Sequence, residues 1–420
     1  MSAIAVLDTH AETHRKALQE ELRELMGVVG PVPLVDLLFE RAFQLRATDI
    51  HLDPHETGVR VRIRVDGMLH DVLQIPSSQA PHMISRIKLM AGLNIAERRL
   101  PQDGHIPGAI PDQHRDIRVG SGPTTFGERL VLRLMPDRAA LNRFDELGFE
   151  PDQVRQLEEL LASPHGMLLS AGPVGSGKST LMYTCIDSLN DISRSIVSIE
   201  DPVERRVVGV SQIQVEPKIG FGFVEALRAV LRQDPNVIMV GEIRDSETAQ
   251  IAVRAGRTGV QVLSTIHAQD AAAALDMLRD FQVPAMFIAD SVEGIISQRL
   301  LRKVCPNCVE SYRPDPATWV TLGVDFQTVG DRELRRGKGC DACFQTGYLG
   351  RTGVFEIFQM DHELRTAVLA CTPRQALMEK ARRKGMRLLP QVAAQKVLDG
   401  VTTVEEMHRV LLAYPTSGDR

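Results

Sequence analysis

Two kinds of hydrophobic pattern succeed one another along the chain. In the first part, Val59, Val61, Ile63 and Val65 alternate with Arg60, Arg62 and Arg64, the period-two signature of a strand buried on one face. Asp66-Gly67 follows, a dipeptide suited to the positive φ of a tight turn, so Met68 to Leu73 is expected to return antiparallel. Upstream, Val35, Leu38, Phe39, Ala42 and Phe43 recur at helical spacing; downstream, Asp116 to Val119 and Leu130 to Leu134 repeat the strand pattern around Pro123 and Gly127. These elements predict a small α+β module that ends near Pro136. Before it, Leu18, Leu22, Leu25 and Met26 predict a short amphipathic helix, either packed on a core or free to dock a partner, set off by Pro31 and Pro33.

From about Leu147 to Leu300 the pattern changes to short apolar runs separated by longer helical stretches, which indicates a parallel sheet covered by helices. Met167 to Leu169, Ser195 to Ile199, Val237 to Val240 and Val260 to Ile266 are the strand-like runs, and Thr180 to Leu189 reads as a helix. Sheets of this class bind ligands beyond the C-terminal ends of their strands. Residues that follow those four runs are therefore the first place to look for chemistry.

After the first run stands Gly172-Pro173-Val174-Gly175-Ser176-Gly177-Lys178-Ser179, which fits the phosphate-loop pattern, with Thr180 opening the helix. Its glycines let successive backbone N–H groups turn toward phosphate oxygens, Lys178 neutralises the β and γ charge, and Ser179 offers a hydroxyl to Mg²⁺. The following helix adds the partial positive charge of its N-terminus. The other runs deliver Glu200-Asp201-Pro202-Val203-Glu204, Gly241-Glu242-Ile243-Arg244-Asp245 and His267. Cleavage of a γ-phosphate needs a positioned water, a metal and donors that follow the developing charge. Glu242 is the candidate to polarise the water, Glu200 and Asp201 to reach Mg²⁺ through water or hold the attacking water, and His267 to donate to the γ-phosphate.

The arginine ladder on the 59–65 strand has two readings: a solvated row, or guanidinium groups that meet phosphates or carboxylates of a neighbouring chain. The cysteines are more specific. Cys305-Pro306-Asn307-Cys308 and Cys340-Asp341-Ala342-Cys343 are two ligand pairs of two-residue spacing, separated by 31 positions, Val309 to Gly339. They predict a tetrahedral structural Zn²⁺ site that holds an inserted lobe together. Cys185 and Cys371 stand outside that pattern and are expected to be small core residues.

Composition narrows the class further. The 420 residues carry a formal net charge of −5, which argues against a protein that coats nucleic acid through many neutralised phosphates. The first ten residues lack a basic region followed by a long apolar stretch, and no run approaches the roughly 18 apolar residues of a membrane span. The chain reads as cytoplasmic.

In order along the chain, the motifs resemble the hexameric secretion ATPase family of bacterial type II secretion and type IV pilus assembly. The likeness runs from Ala47-Thr48-Asp49-Ile50-His51-Leu52 through Leu100-Pro101-Gln102-Asp103-Gly104 and Gly127-Glu128 to the phosphate loop. It continues in Glu200 to Glu204, similar to the family's Asp box, in Gly241 to Asp245, its Walker B, and in Leu263 to His267, its His box. Gln298-Arg299-Leu300, the four cysteines, Thr346-Gly347-Tyr348 and Gly350-Arg351 complete it.

This resemblance implies a fold and a partnership. The fold class would be α/β, a RecA-like P-loop ATPase core preceded by a PAS-like α+β domain, with an inserted zinc-binding lobe. The expected division is a short helical segment (1–30), the PAS-like domain (31–136), a linker (137–150), the ATPase domain (151–300), the tetracysteine module (301–352) and a C-terminal helical region (353–420). ATP, with Mg²⁺, would sit between the two large modules, and Arg118 and Arg133 match the family's N-terminal arginines that approach the phosphates. Partners would be five further copies of the chain, an inner-membrane platform protein that holds the ring peripherally at the cytoplasmic face, and pilin-like subunits indirectly; no direct nucleic-acid partner is expected. The zinc module favours assembly or secretion over pilus retraction. Three features depart from the family: His105 stands where an arginine usually follows Gln-Asp-Gly, Val260 where a histidine usually follows Thr-Gly, and only a short segment precedes the PAS-like module, so recruitment would differ. Two other classes, a DNA-uptake or conjugation motor and a weakly active nucleotide sensor, share the same motifs.

Overall fold

The computed structural model describes residues 31–108, 115–135, 143–323 and 332–411, together with Leu22. Most of the expected N-terminal helix, including Leu18, Leu25 and Met26, lies outside the described residues. The chain divides into two compact units, and each has its own sheet.

In the first unit, six strands form an antiparallel sheet in the order β3-β2-β1-β6-β5-β4. They are β1 (Asp49–His55), β2 (Gly58–Val65), β3 (Met68–Pro76), β4 (Gln102–Ile106), β5 (Ile117–Thr124) and β6 (Gly127–Leu134). The alternation in β2 works as the sequence requires: Val59, Val61 and Ile63 are buried beneath helices α1 (Pro31–Gln44) and α2 (Ala80–Met90), among Val35, Leu38, Phe39, Met83 and Ile87. Asp66 and Gly67 take φ of 48° and 82°, the positive pair that a two-residue hairpin needs. Strands β1 and β4 escape the pattern. β1 contains Pro54, and β4 reads Gln-Asp-Gly-His-Ile, with little apolar alternation to mark it.

The arginines of β2 are paired within their own unit. Arg60 pairs with Asp71, Arg62 with Asp53 at 2.6 Å, and Arg64 with Asp49 at 3.4 Å. Asp53 also receives Arg129 at 2.7 Å and Asp49 receives Arg133 at 3.6 Å, so the two aspartates of β1 neutralise arginines from both neighbouring strands. This arrangement was hidden because β1 itself was not legible. Within the same unit, Lys88 is buried, with Nζ 2.6 Å from Glu128 Oε1 and 2.6 Å from the Glu97 carbonyl oxygen.

The second unit holds a seven-stranded sheet in the order β15-β12-β7-β11-β10-β8-β9. Its strands are β7 (Gly166–Ala171), β8 (Ile196–Glu200), β9 (Ser211–Gln214), β10 (Val237–Val240), β11 (Gln261–Ile266), β12 (Val292–Val304) and β15 (Tyr348–Gln359). From β12 to β9 every neighbouring pair is parallel, as the alternation of strand and helix predicts. Successive strand residues serve opposite faces. Met167, Leu169 and Ala171 pack with Val240, Ala252 and Leu275 on one side, while Leu168 meets Leu181, Met182 and Ile296 on the other. A sheet covered twice in this way fixes its strand ends against both helical layers.

Between β12 and β15 the chain forms a two-stranded sheet of β13 (Val309–Tyr312) and β14 (Leu334–Gly337) beside two cysteine turns. Residues 305–310 and 337–350, which contain all four cysteines of the sequence pattern, group with the first unit. Phe344 is buried in that unit's core and lies 4.6 Å from His70 between ring centres, and the Gly350 N–H donates to Asp66 Oδ2 at 2.7 Å. Of the remaining cysteines, Cys185 is fully buried as expected. Cys371 is exposed, a correction to the sequence reading; it takes φ of 51° two residues beyond the helix His362–Leu369.

Candidate functional site

The phosphate loop leaves β7 and enters helix α3 (Lys178–Leu189). Glycine is required at both ends of the turn. A Cβ on Gly172 would stand 2.5 Å from Ser176 Oγ and 2.8 Å from the Gln298 carbonyl oxygen, and Gly177 caps the helix at φ of 93°, in the left-handed region. Lys178 folds back, donating to the carbonyl oxygens of Gly172 at 2.8 Å and Pro173 at 2.9 Å. Burial, reinforced by the charge of Arg299 and opposed by Glu242, lowers its pKa to about 8. Gln298 of β12 braces the loop from below: its side-chain N–H donates to the Ser176 carbonyl oxygen at 2.7 Å, and its side-chain oxygen accepts from Ser170 Oγ at 3.0 Å.

Three further strand tips converge beside this loop. Ser264 Oγ donates to the Val240 carbonyl oxygen at 2.7 Å and Thr265 Oγ1 to that of Gly241 at 2.8 Å, while the Ile243 N–H returns to the Thr265 carbonyl oxygen. These bonds knit the ends of β10 and β11 together. Glu242 and His267 are thereby brought within 3.5 Å, from Glu242 Oε2 to His267 Nε2. Arg244 donates to the other oxygen of Glu242 and stands 3.7 Å from Asp201 Oδ2. Burial, with the charge of Lys178 next, lowers the pKa of His267, which keeps the ring neutral at physiological pH with one N–H to give.

Glu200 behaves differently from its neighbours. It is buried, and three protein donors occupy its two oxygens: Ser198 Oγ at 2.6 Å, the Gln212 amide at 3.0 Å and the Tyr183 hydroxyl. Asp245 is a helix cap, accepting from the Thr248 N–H at 2.8 Å. The structure therefore gathers Lys178, Asp201, Glu242, Arg244 and His267 at one sheet edge, and turns Glu200 inward. Sequence reasoning gave no role to Tyr183 or Gln298. Both lie in buried, regular elements where a polar side chain carries no periodic signal.

Arg118 and Arg133 sit in the first unit, directly opposite one another on β5 and β6. Asp49 and Arg64 continue the row on one side and His105 on the other, since Arg133 faces Asp49, Asp49 faces Arg64 and Arg118 faces His105. Asp49 pairs with Arg133 at 3.6 Å, so the row carries its own carboxylate.

The four cysteines come together as their spacing predicts. Their sulfurs lie within 4.8 Å of one another, with separations of 3.7, 3.8 and 3.9 Å for the 340–343, 305–340 and 308–343 pairs. A tetrahedron with Zn–S bonds of about 2.3 Å has edges of about 3.8 Å, so these residues fit Zn²⁺. The N–H groups of Gly339, Cys340 and Gly347 donate to cysteine sulfurs at 3.2 to 3.3 Å, as befits thiolates that carry negative charge.

Residues 28–409 match the family model described as Type II/IV secretion system protein. The chain belongs to that family. It is 41% identical over 404 residues to the type II secretion system protein E of Pseudomonas aeruginosa, covering 96% of this chain and 80% of the relative. It is equally 41% identical over 376 residues to the type IV pilus assembly ATPase PilB of Thermus thermophilus, covering 89% of this chain and 42% of that longer protein. The fold resembles the Legionella pneumophila ATPase DotB, with a TM-score of 0.66 at 21% identity over 90% of this chain and 95% of that one. It also resembles the pilus retraction motor PilT with bound ADP, with a TM-score of 0.63 at 24% identity over 92% and 98%. This secretion-family ATPase thus has the expected α/β, RecA-like architecture, and none of its described helices is long and apolar enough to cross a membrane.

Two measurements follow from the site. A triphosphate held by Lys178 would need that lysine charged, and its pKa of about 8 in the free protein places the loss of that charge just above neutrality. The triphosphate stabilises the charged form, so the Kd for an ATP analogue is expected to stay level below pH 7 and to rise about tenfold per unit once pH exceeds 8, with proton uptake on binding in calorimetry. A Kd flat to pH 10 would contradict the assignment. Metal analysis of the purified chain is expected to give one zinc per chain, and chelation to raise amide exchange in residues 305–310 and 337–350 before the phosphate loop; a chain without zinc removes the metal reading.

Proposed function

We propose that this chain is one subunit of a homo-hexameric motor that hydrolyses ATP to drive assembly of pilin-like subunits in a type II secretion or type IV pilus machine. The assembly of Lys178, Glu242 and His267 at one sheet edge beside the phosphate loop carries the reading. Hydrolysis needs a cation on the γ-phosphate, a carboxylate that orients water and a donor that senses the charge as it moves, and the strand tips supply one of each. Lys178 leaves the loop carbonyls for the β and γ oxygens. Glu242, steadied by Arg244, draws the proton of the attacking water, and neutral His267 donates to the γ-phosphate. Residues 172–180 hold the triphosphate. Ser179, and Asp201 through water, would hold Mg²⁺, which would supply neutralisation of the phosphate charge.

Arg118 and Arg133 act in this reading as cations for the phosphates, the role that the family resemblance gives them. The zinc thiolates hold the tetracysteine turns that carry Phe344. The ring attaches peripherally to an inner-membrane platform protein at the cytoplasmic face, with the pilin-like subunits as indirect partners. Names of the two curated relatives, one from secretion and one from pilus assembly, support the coupling to either system.

Purified protein tests the reading through steady-state phosphate release. Mg²⁺-dependent ATP hydrolysis is expected, absent in Lys178→Ala and lowered by about 10² to 10⁴ in kcat in Glu242→Gln with nucleotide still bound. Normal turnover in Glu242→Gln would remove the assigned base.

A further inference from the structure

The hydroxyl of Tyr183 occupies a position that the proposed mechanism does not use. Tyr183 lies on α3 four residues after Ser179, and its side chain is buried. Its one hydrogen goes to Glu200 Oε2, while its oxygen accepts the backbone N–H groups of Glu204 and Arg205, both at 3.1 Å. A phenol has one proton and two lone pairs, so this hydroxyl is fully committed. The same loop is fastened from its other side by β9. Gln212 donates to the Arg205 carbonyl oxygen at 2.8 Å and accepts the Val207 N–H at 2.8 Å, and Gln214 accepts the Val203 N–H at 3.3 Å. At the start of the loop Asp201 meets Arg244, whose guanidinium also holds Glu242.

We propose that Tyr183 is a positioning residue for ATP hydrolysis: it ties the helix that follows the phosphate loop to Glu200 and to the 201–205 segment, and through Asp201 and Arg244 it fixes the orientation of the Glu242 carboxylate. Glu200 in this scheme receives donors and anchors; it does not touch the reacting groups. A movement of the phosphate-loop helix on nucleotide binding would pass to the base through one hydroxyl. Removing that hydroxyl leaves a buried carboxylate oxygen and two part-buried amides without this partner.

The inference rests on the ATPase reading, and the test separates the two. Tyr183→Phe keeps the ring and its packing. Its kcat is expected to fall about tenfold, equivalent to about 1.4 kcal/mol in the barrier, with the Kd for a nonhydrolysable ATP analogue within twofold of wild type. Amide exchange at Glu204 and Arg205 is expected to speed up about tenfold, and Glu200→Gln added to Tyr183→Phe should cost far less than the product of the two single effects, since both act through one network. Unchanged kcat in Tyr183→Phe, or full additivity with Glu200→Gln, overturns the inference while leaving the ATPase assignment standing. Parallel losses in Kd, kcat and melting temperature would show a general loosening and overturn it as well. Gln212→Met, which removes the β9 ties to the same segment and one donor to Glu200 while leaving Tyr183 in place, provides the second variant and should lower kcat with unchanged Kd; if it too leaves kcat untouched, the segment does not set the base. A wild-type chain that hydrolyses no ATP removes both readings.

Discussion

Parallel strands that stop at the same level put their following residues side by side, and everything proposed for this site depends on that register holding. The hydroxyls of Ser264 and Thr265 are the fasteners, since each spans from β11 to the last carbonyls of β10 and so sets where Gly241 and Glu242 emerge relative to His267. Both are buried, where a hydrogen bond is shielded from competing water. Burial of the sheet on both faces then prevents the strands from sliding, because a shift of one residue would turn Leu168 and its neighbours into the wrong core.

Cations gather at that edge: Lys178, Arg244 and the helix N-terminus of α3 stand there, and the carboxylates, Glu242 and Asp201, are engaged by Arg244. Lys178 meanwhile rests against two carbonyl oxygens, a weak substitute for phosphate, and is partly desolvated. A triphosphate offers that lysine a stronger partner in the same low-dielectric surroundings. The neutral state of His267 complements this, since a second full cation beside Lys178 would repel it.

Much of this was legible in the residues, and the illegible parts share a cause. Repeated apolar runs between Met167 and Ile266 showed the parallel core, and the loop after the first run is where the nucleotide is proposed to bind. The cysteine spacing foretold the cluster. What the sequence concealed were strands with no apolar alternation: β9 reads Ser-Gln-Ile-Gln at a partly exposed edge, and β12 carries Gln298 and Arg299 in its middle, both inaccessible and bonded to backbone. Periodicity reports apolar burial, so a strand that buries amides and guanidinium groups is silent. Glu200 illustrates the same limit from the other side. Its position after a strand pointed to catalysis, whereas its three donors come from residues 2, 12 and 17 positions away, which no local pattern reveals.

The most direct test of the central claim is a structure with Mg²⁺ and a nonhydrolysable ATP analogue. The account predicts that Lys178 Nζ leaves the carbonyls of Gly172 and Pro173 for the β and γ oxygens, with Glu242 and His267 facing the γ-phosphate and the Ser264 and Thr265 bonds unchanged. A phosphate loop that stays closed over its own lysine, or a nucleotide bound with Glu242 and His267 turned away from the γ-phosphate, would contradict it.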